Sequence, residues 1–342
     1  MRILFAGSPG IAVPVLEKLF ALSQSSQGTE LPIEFATSIE LAGILTNPDT
    51  AKGRSSALQP TDIAAAAERL SYTGCAPLLF KPEKLDAAAR ERIEALKPEL
   101  LVSFAYGRIF GPKFLGLFPL GGINIHPSLL PKYRGPTPIP AAILAREKET
   151  GITIQRLAPE MDSGDILLQE RVTLAGNETT ASLGNCMAAR AAELLPRVLE
   201  GIASGTLQAR PQNHDEASYC SLITKEEGRI NWNKSAVEID AQIRAYDPWP
   251  LCWTHHGDQQ LFILKAHVAQ TSESGIPCPQ TPPVPGMVLG IDKQGILVQT
   301  GEGVLAAVEL QYRSKKALQW KNFLNGARNF IGCRLGQLIE VQ

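Results

Sequence analysis

No stretch of this 342-residue chain reaches the ~18 consecutive apolar residues of a membrane-spanning helix, so a membrane partner is not expected. The opening RILFAG is a short strand reaching a glycine and lacks the long apolar core of a secretory leader, so a cytoplasmic protein is expected. Cysteine is sparse and scattered: Cys75, Cys186, Cys220, Cys252, Cys278 and Cys333 form no CxxC pair. That spacing speaks against a zinc site and against a disulfide framework, and suits reduced thiols. Charge of either sign is also lacking in excess. The formal net charge is -1, so any nucleic-acid partner must be gripped by local patches. The strand-turn-helix opening lacks GxGxxG, so no NAD site is expected.

What is present is enough apolar material for about two domains, with 44% hydrophobic residues. RILFA reads as a buried parallel strand, and GSPG turns the chain into a helix, IAVPVLEKLFAL. A polar, serine-rich insertion covers residues 23–38. Strand ELAGILTN, helix TDIAAAAERL with Thr61 as its N-cap, helix DAAARERIEAL and strand ELLVSFA follow. This alternation predicts an α/β fold, a Rossmann-like, mostly parallel sheet covered on both faces. GITIQRL and ILLQERVTL read as later strands of that sheet, and the helix at TASLGNCMAARAAELLPRVLEGI closes it.

The texture then changes. Short strand-like segments, LFILKAHV, GMVLGID, GILVQTG and VLAAVELQ, lie between Gly, Pro and Asp turns and predict a small β-barrel. TSESGIPCPQTPPVPG reads as a long Pro-rich surface loop. The expected domains are residues 1–195, a linker at 196–217, and a second domain at 218–342. Trp249 and Trp253 in the second part read as core residues, and His214, His255, His256 and His267 as structural ones.

The chemistry concentrates in INIHPSLLPKYRG, residues 123–135. Asn124 and His126 are two apart behind an apolar strand, which places them on one face. An amide donor and an imidazole facing one space can polarise a carbonyl and move a proton. Downstream, MDSGDIL supplies Asp162, which can orient and charge that imidazole. Asn124, His126 and Asp162 together suggest acyl-transfer chemistry without a nucleophilic serine or cysteine. A lone histidine after a strand is usually structural, and an aspartate before Ser-Gly is usually a turn residue. Two prolines and a glycine after His126 make a stiff loop, and that shifts the balance toward a site.

INIHPSLLPKYRGPTPI resembles the folate-dependent formyltransferase and hydrolase superfamily. The likeness begins at RILFAGSP and runs through TNPDTAKGR, FAYGRIF, ETGITIQRL and MDSGDIL to KEEGRINW and IRAYDPWP. It implies a formyltransferase domain followed by an OB-like barrel and 10-formyltetrahydrofolate as co-substrate; no metal requirement is visible in the sequence at the active centre, and none is expected there. It implies catalytic roles for Asn124, His126 and Asp162. Folate contacts are implied for Phe104, Tyr106, Gly107, Arg108 and Ile109 in FAYGRIF and for Ser128, Leu129, Leu130 and Pro131, with a cis bond at Leu130–Pro131.

The formyl acceptor that the resemblance implies is a charged tRNA, the initiator methionyl-tRNA, bound by a monomer. Lys52 and Arg54 in the loop at residues 46–58 are then tRNA contacts, although Ser55–Ser56 is less basic than in relatives. From residue 300 to 342 six cations face three anions, a balance of +3, and Arg313, Lys315 and Lys316 join the expected tRNA patch. The rival readings are a formyltransferase acting on a nucleotide-linked amino sugar and a non-catalytic RNA-binding protein.

Overall fold

The computed structural model describes residues 1–25, 38–51, 57–71, 77–269 and 284–337. In chain order the helices and strands are β1 (Arg2–Gly7), α1 (Val13–Ser25), β2 (Glu40–Leu45), β3 (Thr50–Ala51), β4 (Leu58–Gln59), α2 (Asp62–Ser71), β5 (Leu78–Phe80), α3 (Ala87–Glu94), β6 (Leu100–Phe104), α4 (Pro112–Leu115), β7 (Gly122–His126), α5 (Pro138–Leu144), β8 (Glu149–Arg156), β9 (Ile166–Thr173) and α6 (Thr180–Ala203). They continue with α7 (Ala236–Ala245), β10 (Cys252–His256), β11 (Gln259–Val268), β12 (Val288–Ile291), β13 (Ile296–Gln299), β14 (Val304–Tyr312), β15 (Leu318–Gln319) and α8 (Trp320–Gly326).

Two compact units result. The first comprises residues 1–138, 149–173 and 184–221; the second comprises 139–148, 174–183 and 222–342. In the first unit a seven-stranded sheet has the order β5-β2-β1-β6-β7-β8-β9. The first five strands are parallel, and β8 and β9 run antiparallel to their neighbours. Ile3, Leu4, Phe5 and Ala6 are all fully buried, as are Leu100, Leu101 and Val102. Consecutive burial means that both faces of these strands are covered, which is why they read as unbroken apolar runs. Each such Ile, Leu, Phe or Val side chain contributes about 1.5–3 kcal/mol of burial free energy. Thr61 caps α2 as expected, its hydroxyl accepting from Ala64 N at 3.0 Å.

The carboxyl ends of the parallel strands are tied together by side chains. Asn47, just after β2, donates through Nδ2 to Ser8 Oγ at 2.9 Å and to Tyr106 O at 2.8 Å. The loops after β1, β2 and β6 are thereby fixed at the edge where open α/β sheets place ligands. The same edge carries His126, the last residue of β7.

The second unit holds the antiparallel sheet β10-β11-β14-β13-β12, with β15 pairing β14. Its core includes Leu261, Ile263, Leu297, Leu305 and Ala306. Helix α7 begins with a capping box, in which Ser235 and Glu238 satisfy each other's backbone donors. The alternating strands of this unit were legible; α7, α8 and β10 were not anticipated. Trp249 is 52% exposed, so it is not the core residue expected, and Trp253 is half-buried beside Arg229.

The linker expected at 196–217 is not a free connection. Residues 196–203 are the end of α6, where Val198 and Leu199 are fully buried. Beyond the helix, Arg210 exchanges backbone hydrogen bonds with Ile166, and Ser218 and Cys220 pair with Arg134. A polar, turn-rich composition is compatible with order when the backbone donors and acceptors are paired in this way. The insertion at 23–38 and the Pro-rich loop fall mainly on residues 26–37 and 270–283, outside the described residues.

Candidate active site

Asn124 and His126 share one face of β7, as the period of two requires, and both turn to Asp162. Their neighbours Ile123 and Ile125 are buried at 0% and 1% exposure and pack the opposite side. Asn124 Nδ2 donates to Asp162 Oδ1 at 3.3 Å, which leaves its second N–H for another acceptor. His126 Nδ1 faces Asp162 Oδ2 at 3.5 Å, and Nε2 lies 2.8 Å from Tyr133 O. The short contact is made by a ring N–H donating to the carbonyl, so it assigns the proton of the neutral ring to Nε2. Nδ1 then carries the lone pair, aimed at the carboxylate edge.

Asp162 occupies a left-handed turn with φ 53, a conformation that aspartate tolerates better than most residues. Its two oxygens are well supplied with donors. Oδ1 accepts from Asn124 and from Gln155 Nε2 at 2.9 Å; Oδ2 accepts from Gly135 N at 2.9 Å. Gly135 has φ +117, and a Cβ there would lie 2.2 Å from Cys220 O. Only glycine fits this backbone while its N–H points at the carboxylate.

His126 is 4% exposed. Burial lowers its pKa from the ordinary imidazole value, and this outweighs the opposing pull of Asp162 and the hydrogen bond to Tyr133 O. Asp162 pulls the ring toward its charged form, as expected from the sequence, but burial outweighs that pull. Removing the ring from water costs the charged form more than the carboxylate returns, and the resting ring is neutral. Burial also pushes the nearby Cys220 thiol up, away from thiolate chemistry.

The loop from Pro127 to Gly135 is braced from within. Ser128 Oγ donates to Lys132 O at 2.6 Å, and Thr153 Oγ1 donates to Ser128 O at 2.7 Å while accepting from Leu130 N. Gln169 Nε2 donates to Leu130 O at 2.9 Å. The Leu130–Pro131 bond is cis. Ser128 and Leu130 are thus buried framework, while Leu129 and Pro131 are half-buried.

The FAYGRIF segment divides the same way. Phe104 and Tyr106 are buried, and the Tyr106 ring stacks on Phe110 at 5.2 Å in the core. Gly107 and Ile109 are exposed, with Ile109 at 79%, and Arg108 is tied by Nη1 to Glu83 O at 2.6 Å. The side chains at 104, 106, 128 and 130 are buried, whereas Gly107 and Ile109 form the exposed loop tip.

Lys52 and Arg54 lie outside the described residues. Arg313, Lys315 and Lys316 are exposed in the turn between β14 and β15, where Lys315 Nζ sits 5.4 Å above the Tyr312 ring. Sequence reasoning missed Gln155, Arg134 and Gln212. Gln155 is directly paired with Asn124 in the β7–β8 ladder, a register that only the fold supplies.

Among the described residues no group of three His, Cys, Asp or Glu side chains could hold a metal, and no helix is long and apolar enough to cross a membrane.

Comparison with known proteins agrees with this architecture. The family profile described as formyl transferase matches residues 21–199, and that described as formyl transferase, C-terminal domain, matches residues 222–328. A methionyl-tRNA formyltransferase from Treponema denticola is 46% identical, covering 97% of this chain and 98% of its own length. One from Treponema pallidum is 43% identical over 98% and 99%. An N-formyltransferase from Helicobacter canadensis, solved with folinic acid and dTDP-3-aminofucose, shares the fold with a TM-score of 0.61 at 20% identity, covering 90% of this chain and 98% of that one. By its two matched domains and its full-length relatives, this chain belongs to the formyl transferase family, in the branch of the methionyl-tRNA formyltransferases.

Proposed function

We propose that this chain transfers the formyl group of 10-formyltetrahydrofolate to the amino group of methionyl-tRNA, giving N-formylmethionyl-tRNA. The observation that carries the reading is the convergence of Asn124 and His126 on Asp162 at the carboxyl edge of a parallel sheet. The relatives' names support the acceptor, and their identity over nearly the whole chain includes both units.

The chemistry follows from the site. The amine nitrogen attacks the formyl carbon, and the carbonyl electron pair moves onto oxygen. Collapse of the tetrahedral species breaks the bond to N10 of the folate, and the proton lost by the amine ends on N10. The free N–H of Asn124 is the donor to the developing oxyanion, a role worth about 3 kcal/mol of barrier. Neutral His126 takes the amine proton at Nδ1, where Asp162 Oδ2 stabilises the charged ring 3.5 Å away, and hands it to N10 as the bond from the formyl carbon to N10 breaks. General acid–base help of this kind contributes about 10²–10⁴ in rate.

Folate is held by backbone around Gly107 to Ile109 and by the half-buried Leu129 and Pro131. The tRNA is held by Lys52 and Arg54, with Arg313, Lys315 and Lys316 as a second phosphate contact. The finer reading is a cytoplasmic monomer that selects the initiator methionyl-tRNA.

The test is formyl transfer from 10-formyltetrahydrofolate offered in parallel to methionyl-tRNA and to a nucleotide-linked amino sugar. Formyl-methionyl-tRNA as the product supports the assignment. Product on the sugar alone reassigns the acceptor, and tRNA binding without any product leaves an RNA-binding protein.

A further inference from the structure

Behind Asp162 lies a buried cation that the chemistry above does not use. Arg134 is 2% exposed, and among the described residues no carboxylate forms an ion pair with it. A buried guanidinium without a counter-charge is costly unless its donors are satisfied and its charge is dispersed. Its Nε and Nη2 donate to a single oxygen, Gln212 Oε1, at 3.2 and 2.7 Å. Nη1 donates to Tyr219 OH at 3.2 Å and Nη2 to His214 Nδ1 at 3.1 Å, while the Tyr219 ring lies 5.9 Å from the guanidinium carbon.

Gln212 passes this polarity on. Its amide nitrogen donates to Gln155 Oε1 at 3.1 Å, to Asp162 O at 2.9 Å and to Gly164 O at 2.6 Å. Gln155 in turn donates through Nε2 to Asp162 Oδ1 at 2.9 Å. The two side-chain amides point the same way, oxygen toward the cation and nitrogen toward the carboxylate. Aligned amide dipoles in a low-dielectric interior polarise one another, and a charge at each end is the arrangement that they favour. Gln155 and Gln212 are 1% and 6% exposed, so water does not short-circuit the chain.

We propose that Arg134, Gln212 and Gln155 form a relay that fixes and polarises Asp162, and that all three are positioning residues for the reaction: they act on His126 only through that carboxylate. The inference rests on the proposed roles of Asp162 and His126.

The relay predicts a split between kcat and KM. Gln155→Met, close in volume and without polar atoms, lowers kcat about 10-fold or more and leaves both KM values within about 2-fold. In the Asp162→Asn background the same substitution changes kcat by less than about 2-fold, because the group it acts through is gone. Gln212→Glu is the second variant. It keeps an acceptor for Arg134 but gives Gln155 no donor, so it reproduces the kcat loss with the fold's buried cation still met.

A readout without turnover separates this inference from the assignment of substrate. The ring ¹⁵N resonances of His126 in the full-length protein, followed against pH, move their titration midpoint in Gln155→Met and in Gln212→Glu relative to the unsubstituted chain. Unmoved midpoints in both variants, or kcat losses that add fully to that of Asp162→Asn, overturn the relay. A chain that forms no formyl-methionyl-tRNA overturns the proposed function and leaves the ¹⁵N comparison to decide the relay.

Discussion

Gln155 sits directly opposite Asn124 across the β7–β8 ladder, and the two side-chain amides donate to the same oxygen of Asp162. Neither residue reaches that oxygen by chance of a flexible loop. Both are strand residues whose direction is set by the pleat, so the carboxylate is oriented by the sheet itself. His126 and Gly135 complete the frame on the other oxygen.

Asn124→Ala removes the oxyanion donor together with one support of Asp162. The expected result is a fall in kcat of about 10²–10³-fold with the fold intact. Steady-state kinetics beside circular dichroism check it; a loss confined to KM assigns Asn124 to ground-state binding instead.

Acid should weaken the protein through His126. Burial places its folded pKa below the ordinary value of 6.5. As pH falls through 6.5 the unfolded chain takes up the proton, while the folded chain does so only at lower pH. Between those points the unfolded state binds more protons, so stability declines as pH drops and is recovered as it rises. His256 is also held low by burial and contributes with the same sign. Thermal melts of His126→Asn and of the unsubstituted chain between about pH 7.5 and 5.5 should show a flatter decline in the variant. Parallel declines contradict the neutral, buried imidazole.

Arg54→Ala should raise KM for tRNA and leave folate affinity unchanged, because Arg54 is proposed as a tRNA contact and not as a folate contact. The tRNA effect should shrink as salt is raised, as expected for a phosphate contact. An equal loss of folate affinity, measured by fluorescence titration, means that the loop has been assigned to the wrong substrate.

Much of the scaffold was legible. Unbroken apolar runs such as Ile3–Ala6 announced doubly covered parallel strands, and the spacing of Asn124 and His126 announced a shared face. The same reading did not see that β8 and β9 turn antiparallel, because a buried strand looks alike in either direction. It placed a linker at 196–217, since polar residues that pair their backbones resemble polar residues that do not. It placed Tyr106 and Ser128 in folate-contacting segments but did not show that both side chains are buried, because burial depends on the fold. It missed Arg134, Gln212 and Gln155 because their partnership spans residues 134 to 212 and is created by the fold alone. The net direction of the His126 shift was not legible for a related reason: the attracting charge is visible in the sequence, whereas the depth of burial is not.

The most direct test of the account is the single-turnover rate of formyl transfer to methionyl-tRNA in His126→Ala and Asp162→Asn, with both substrates saturating. The account predicts a fall of at least ~100-fold in each variant, with the fold and substrate binding preserved. A chemical step at the unsubstituted rate in either variant would contradict the roles assigned to His126 and Asp162.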